Sequence, residues 1–158
     1  QYVAVVAGAR FATAQGFPRE WNYRTQQWRV LAFALDGKDS LPPAPAPDLS
    51  FPDDKAFRID ASLVKPGALA YGDYCAPCHG ANALSGGSAP DLLRSPVPLD
   101  PGAFTAMVKT GPLVTRGMPA FGEVPDRTAA AIAHYLRQRA RDVAASSAPV
   151  KPVDDKGQ

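Results

Sequence analysis

The sequence has few residues that can bind a metal or form a disulfide. Its 158 residues include two cysteines, two histidines and two methionines. Two cysteines cannot supply the disulfide framework of a small secreted scaffold. A zinc site that used both of them would still need two more ligands. Any metal or cofactor chemistry must therefore depend on a very small set of side chains.

Long apolar runs and a charge excess are also missing. No apolar run approaches the roughly 18 residues that a membrane-spanning helix needs, and the formal net charge is only +2. We therefore expect no membrane span and no nucleic-acid partner. The residues after Gln1 show no basic n-region and no apolar h-region, so no signal peptide is predicted. We expect a mature, processed chain or part of a longer one.

Proline is abundant, and its distribution divides the chain. Five of the 17 prolines lie between Pro42 and Pro52, where repeated proline favours an extended spacer. The sequence predicts four regions: strands in 1–40, a proline-rich linker in 41–60, a helical domain in 61–145 and a flexible tail in 146–158.

Two short apolar runs, Tyr2–Gly8 and Trp28–Leu35, predict strands in the first region. Neither run alternates cleanly between apolar and polar residues, which indicates strands that are buried on both faces. Two strands are not stable alone in water, and the chain predicts no others. We therefore expect this pair to form the edge of a larger β domain or to dock on one.

The region 61–145 is predicted to be helical. Its helices should run from Lys65 to about Cys78, from Pro101 to Lys109, and from Asp126 to about Val143. Asp100 is suited to cap the second helix and Gly111 to end it.

The predicted third helix carries one apolar stripe at helical spacing, with polar residues on the opposite face. We expect its polar residues, including His134, to lie in solvent. The same expectation applies to three arginines near its end, Arg137, Arg139 and Arg141.

Both cysteines lie in one pentapeptide, Cys75-Ala-Pro-Cys78-His79. C-x-x-C-H is the attachment signature of a c-type haem. The two thiols form thioether bonds to the porphyrin, and the histidine is carried beneath the iron. We therefore predict covalent haem c, with His79 as an iron ligand. Since such haem is attached after export in bacteria, we expect a periplasmic location.

The alternatives for this pentapeptide are a redox dithiol and half of a zinc site. A thioredoxin-like C-x-x-C is expected in a βαβ context, and the context here is predicted to be helical. For zinc, the chain offers only His134 as a further histidine, which leaves the site short of ligands.

The sixth iron ligand can be chosen from two methionines. His and Met together are the usual axial pair of electron-transfer cytochromes c, and this pair raises the reduction potential. Met118 lies in Gly117-Met118-Pro119, a non-helical turn that can approach a haem face. Met107 lies at helical spacing and is predicted to pack in the core. We favour Met118.

This arrangement resembles a class I cytochrome c across about residues 60 to 145. Gly67 and Tyr71 match the small and aromatic positions of the family's first helix, and Tyr135 matches its last helix. In that family these two helices cross at the small residue. The resemblance also implies that the carbonyl of Pro90 accepts a hydrogen bond from Nδ1 of His79.

The order of strands, linker, C-x-x-C-H and Gly-Met-Pro resembles the end of a type II quinohaemoprotein alcohol dehydrogenase. In that family a β-propeller that binds pyrroloquinoline quinone (PQQ) ends in a strand pair, followed by a linker and a cytochrome c domain. The resemblance implies that electrons from an alcohol or sugar pass from PQQ to this haem and on to an external acceptor, such as another cytochrome. It places the PQQ, calcium and catalytic aspartate positions before Gln1.

Two alternatives remain open at this point. The chain could be a freestanding c-type electron carrier or a cytochrome subunit that adds strands to a separate dehydrogenase chain. It could also be a haem enzyme or gas sensor, which would need an open iron site.

Overall fold

The computed structural model describes residues 1–7, 29–40, 50–52, 54–85 and 89–147. The described residues form β1 (Tyr2–Ala7), β2 (Arg29–Ala34), α1 (Ala61–Tyr74), α2 (Ala76–His79), α3 (Pro101–Thr110) and α4 (Asp126–Ser147). The predicted class, mainly helical with two preceding strands, is confirmed. The expectations for residues 41–49 and for the tail from 148 onward lie outside the described residues.

β1 and β2 form an antiparallel pair in which Val3 lies opposite Phe33. Among the described elements, the two strands contact each other and no helix. Apolar side chains are exposed on both faces of the pair: Phe33 is 56% exposed on one face, and Val30 is 73% exposed on the other. The pair therefore buries neither face within the described part of this chain.

The first helix begins four residues earlier than predicted. Asp60 caps α1, because its carboxylate accepts a hydrogen bond from the backbone N–H of Ser62 at 2.9 Å. Pro66, which we expected near the start of the helix, lies inside it. Proline cannot donate to the carbonyl four residues before it, and a capping aspartate at position 60 is sufficient to start the helix upstream.

α1 and α4 cross at Gly67, as the cytochrome resemblance implies. A Cβ atom at Gly67 would lie 2.0 Å from the carbonyl oxygen of Ala131, so only glycine allows this approach. Tyr71 and Tyr135 lie beside the crossing with their ring centroids 5.3 Å apart. The core also contains Leu93, Phe104, Val108, Ile132 and Leu136.

α3 has the predicted boundaries within one residue. The carboxylate of Asp100 accepts from the backbone N–H groups of Gly102 and Ala103, at 2.9 and 3.0 Å. The helix ends at Gly111, whose φ of +64° is left-handed. A salt bridge between Lys109 and Asp126 joins the end of α3 to the start of α4.

The segment before α1, residues 50–60 without residue 53, packs on the helices. Arg141 of α4 donates to the carboxylate of Asp54 at 2.9 Å and to the carbonyl of Phe57 at 2.8 Å. The Phe57 ring also packs on His134, with ring centroids 5.1 Å apart. These contacts attach the end of the predicted linker to the last helix.

Within the described ranges, no helix has both the length and the apolarity needed to cross a bilayer.

Candidate haem site

One helical turn brings the two thiols and the histidine together. α1 ends at Tyr74, and the carbonyl of Cys75 accepts from the backbone N–H groups of Cys78 and His79, at 3.2 and 2.9 Å. Residues three and four apart share one face of a helix. Cys75, Cys78 and His79 therefore project from the same side of this turn.

Neither cysteine forms a disulfide, and Cys78 is exposed whereas Cys75 is partly buried. Burial, together with the nearby Cys78, raises the pKa of the Cys75 thiol to about 12. Thiol–disulfide exchange needs a thiolate, so this environment does not favour a redox dithiol. Among the described residues, no group of three or more Cys, His, Asp or Glu side chains could hold a metal ion.

The imidazole of His79 is buried and has a defined orientation. Its Nδ1 atom lies 2.9 Å from the carbonyl oxygen of Pro90. A carbonyl only accepts, so Nδ1 carries the hydrogen and Nε2 keeps its lone pair. Burial lowers the pKa of His79, although the bond to Pro90 acts in the opposite direction. A neutral imidazole with a free Nε2 is the form that binds iron.

Tyr71 fixes the chain immediately after the histidine. Its buried hydroxyl donates to the carbonyl of Gly80 at 2.8 Å, and burial raises the pKa of this hydroxyl. Gly80 has a φ of +88°, and a Cβ atom there would lie 2.2 Å from the carbonyl oxygen of Leu84. The exit from the attachment turn thus depends on this glycine and on the helix crossing that places Tyr71.

The two methionines are both half-buried, so burial does not distinguish them. Met118 follows a 3-10 turn and Gly117, whose φ is +91°, and its backbone N–H donates to the carbonyl of Leu113 at 3.2 Å. Met107 lies in α3 and is not one of the fully buried core residues. Met118 is thus the methionine outside a helix, and its role as an iron ligand stays a prediction.

The arginine at position 137 is not solvated, and that expectation was wrong. Arg137 is 1% exposed and donates to the carbonyl of Leu93 at 2.6 Å. It lies four residues after Ala133 and three before Ala140, two members of the apolar stripe. Its position at the edge of that stripe was a signal in the sequence that burial was possible.

His134 was expected in solvent, but it is partly buried and holds the segment before α1. Its Nδ1 atom accepts from the backbone N–H of Asp60 at 3.1 Å. The partner lies 74 residues away, so no local pattern indicates this contact. The same reason explains why the contacts of Arg141 with Asp54 and Phe57 were missed.

The residues present fit a covalently attached haem. Two thiols three residues apart, which form no disulfide, supply the attachment points, and His79 presents a neutral Nε2 whose orientation is fixed by Pro90. This donor set has the chemistry of c-type attachment with a histidine on the proximal side.

Comparisons with known proteins agree with this chemistry. The family model described as "Cytochrome C oxidase, cbb3-type, subunit III" matches residues 62–136. The dehydrogenase subunit of alcohol dehydrogenase (quinone) from Gluconobacter oxydans (strain 621H) is 40% identical over an alignment of 127 residues, and the match covers 77% of this chain and 16% of that protein. Quinohemoprotein alcohol dehydrogenase ADH IIB from Pseudomonas putida is 38% identical over an alignment of 130 residues, and the match covers 78% of this chain and 18% of that protein.

A solved structure shows the same relationship. The quinohemoprotein alcohol dehydrogenase ADHIIG from Pseudomonas putida HK5 matches with a TM-score of 0.60 and 35% sequence identity. The match covers 75% of this chain and 17% of that chain. This chain therefore spans about a sixth of the length of the relatives that it matches.

Proposed function

We propose that this chain, which belongs to the cytochrome part of the type II quinohaemoprotein alcohol dehydrogenases, is the unit through which electrons leave such an enzyme. In this proposal the chain would receive electrons from PQQ in a dehydrogenase part through a covalent haem c, and would pass them to an external acceptor such as another cytochrome. The observation that carries the proposal is the single turn that presents two thiols and an oriented, neutral imidazole.

Each site residue has a separate task in this proposal. Cys75 and Cys78 would form the two thioether bonds, and His79 and Met118 would bind the iron. Pro90 holds the His79 ring through its carbonyl. The haem, when bound, supplies one-electron redox chemistry. With His79 and Met118 both as iron ligands, no external ligand would have to enter or leave during electron transfer.

The oxidoreductase context comes from the relatives, and substrate oxidation is assigned to a part of the enzyme outside this chain. We infer that PQQ, calcium and an alcohol or sugar substrate bind in a β-propeller, either in the same polypeptide or in a companion chain. Residues 1–40 would then complete that propeller, 41–60 would connect it, and 61–145 would be the cytochrome domain. The attachment of c-type haem after export supports a periplasmic location.

The size of the native protein tests this proposal. The expected result is a single haem-containing polypeptide far larger than the 16.7 kDa of this chain. A polypeptide of this chain's own mass that copurifies with a PQQ dehydrogenase would also support the proposal. Intact mass measurement with N-terminal analysis makes the distinction. A protein of this size that purifies alone, without PQQ, would contradict the proposal and favour a freestanding electron carrier.

The choice of sixth ligand gives a second test. Met118→Ala should lower the reduction potential and open the iron to external ligands, because a neutral thioether favours ferrous iron. Carbon monoxide should bind the reduced variant rapidly and the parent slowly. Met107→Ala should keep the thioether-to-ferric charge-transfer band and cost about 1–2 kcal/mol of stability, below the usual 2–5 kcal/mol because Met107 is only half-buried.

The opposite pattern would refute the ligand assignment. If Met107→Ala abolished the charge-transfer band, Met107 would be the ligand. Rapid carbon monoxide binding to the parent protein near neutral pH would instead indicate an open iron site, as in a haem enzyme or gas sensor.

A further inference from the structure

Arg137 is an unusual residue for the interior of a small helical domain. Its guanidinium is buried, yet it forms no ion pair with any carboxylate in the described part of the chain. It donates to two carbonyl oxygens instead, that of Leu93 at 2.6 Å and that of Ser95 at 3.5 Å. Its Nε atom has no partner among the described residues, and burial lowers its pKa.

Stability alone does not account for this arrangement. Taking a charged group out of water is costly, and well-packed apolar residues of similar volume are often as stabilising as a buried charge or better. A leucine or methionine at position 137 would continue the apolar edge of α4 without that cost. The buried guanidinium is therefore better explained by the two carbonyls that it holds in place than by its contribution to stability.

Those carbonyls belong to the segment that orients His79. We name residues 89–95 the proximal loop, because its Pro90 carbonyl accepts the bond from Nδ1 of His79. On one side of Pro90, the hydroxyl of Ser85 donates to the carbonyl of Ala89 at 2.7 Å. On the other side, Arg137 holds the carbonyl of Leu93. The peptide that contacts the histidine thus lies between two fixed points.

The proximal loop also has an internal bond that transmits this restraint. The carboxylate of Asp91 accepts from the backbone N–H of Leu93 at 3.0 Å. The side chain of Leu93 is fully buried in the core. Residues 91 to 93 therefore form a short, internally bonded turn. Displacing the Leu93 carbonyl would move this turn as a unit, and with it the carbonyl of Pro90.

We propose that Arg137 is a positioning residue for the haem: by holding the carbonyls of Leu93 and Ser95, it keeps the Pro90 carbonyl on Nδ1 of His79. This inference rests on the proposed role of His79 as an iron ligand. A stronger Nδ1–H···O bond raises the basicity of the imidazole. A more basic ligand stabilises ferric iron, so loss of the Arg137 contacts raises the reduction potential.

The test compares two arginines of the same helix in the haem-loaded full chain. Arg137→Met keeps most of the volume and removes the donors to the proximal loop. Arg141→Met is the matched control, since Arg141 also donates to backbone carbonyls but to those of Asp54 and Phe57. The measurements are the hydrogen-exchange rate of the His79 Nδ1–H in the ferrous protein by proton NMR, and the reduction potential by spectroelectrochemical titration.

We expect the Nδ1–H of His79 to exchange roughly tenfold faster in Arg137→Met than in the parent protein. This factor corresponds to about 1.4 kcal/mol, which lies within the net contribution of one hydrogen bond to stability. The potential rises in the same variant. Arg141→Met lowers thermal stability but leaves both quantities at their parent values. Unchanged exchange in Arg137→Met, or equal changes in both variants, overturns the proposal.

A third variant covers the case in which Arg137→Met yields no haem-loaded protein. Arg137→Lys keeps the charge but cannot fork to both carbonyls, so its exchange should be faster than in the parent, and parent-like exchange would refute the role of Arg137. If the parent protein shows no His79 Nδ1–H resonance shifted by the haem ring current, His79 is not an iron ligand, and this inference is refuted together with that assignment. Parent-like exchange in the variants refutes the role of Arg137 alone.

Discussion

The helical region and the strand pair differ in where their apolar side chains lie. Tyr71, Leu93 and Leu136 are almost completely buried between α1, α3, α4 and the proximal loop, whereas Val30 and Phe33 of the strand pair are mostly exposed. The helices therefore have their own core, but the strands have only each other. Since two strands with two exposed apolar faces are not stable alone in water, the pair needs a partner that the described residues do not supply.

The same difference assigns separate tasks to the two regions. Every residue proposed to hold the haem lies in the helical region, between Cys75 and Met118. The strand pair carries none of them. The segment before α1 belongs with the helices, because Arg141, His134 and Arg94 all contact it. The unit that carries the haem site therefore begins near Ser50, within the region that the sequence assigned to a linker.

Separating the two regions should give the largest effect. We expect residues 50–147, produced with c-type haem maturation, to attach haem and to unfold cooperatively. Residues 1–40 alone should show no cooperative transition, because they cannot bury a core. Thermal unfolding followed by circular dichroism, with the haem spectrum of the longer fragment, provides the measurement. A folded 1–40 fragment, or an unfolded 50–147 fragment, would contradict the conclusion that only the helical region has its own core.

A substitution at the helix crossing should have the next largest effect. Gly67→Ala would place a Cβ atom 2.0 Å from the carbonyl oxygen of Ala131, so α1 and α4 must separate. We expect a loss of about 3 kcal/mol or more, at the upper end for overpacking. Urea unfolding of the haem-loaded protein measures this loss.

Gly72→Ala is the control on the same helix. A Cβ atom at Gly72 would meet nothing within 4 Å. Alanine favours helix over glycine, so this change should leave stability unchanged or raise it by up to about 1 kcal/mol. Equal losses for both variants would mean that the helix crossing does not depend on close approach at Gly67.

What the sequence predicted correctly depends on local chemistry. The capping of α3 by Asp100 and its end at Gly111 each depend on residues within a few positions of one another. The predicted start of α1 was wrong because it relied on Pro66 as a first-turn residue and did not consider Asp60 as a cap. The burial of Arg137 was missed because arginine is rarely buried. The carbonyl that accepts its hydrogen bond belongs to Leu93, 44 residues earlier in the sequence, so no local sequence pattern indicates the contact.

The smallest effect in this chain should come from the exposed strand residue Phe33. Its side chain lies opposite Val3, and its strand contacts none of the described helices, so Phe33→Ala should change the stability of the haem-containing region by less than about 0.5 kcal/mol. In the complete dehydrogenase, where we propose that further strands cover this face, the same substitution should cost about 3–5 kcal/mol. Thermal unfolding of both proteins, followed by the haem spectrum for the chain and by dehydrogenase activity for the complete enzyme, makes the comparison. An equally small effect in both would mean that the apolar face of Phe33 is not covered by the dehydrogenase part, and the strand pair would then need a different partner.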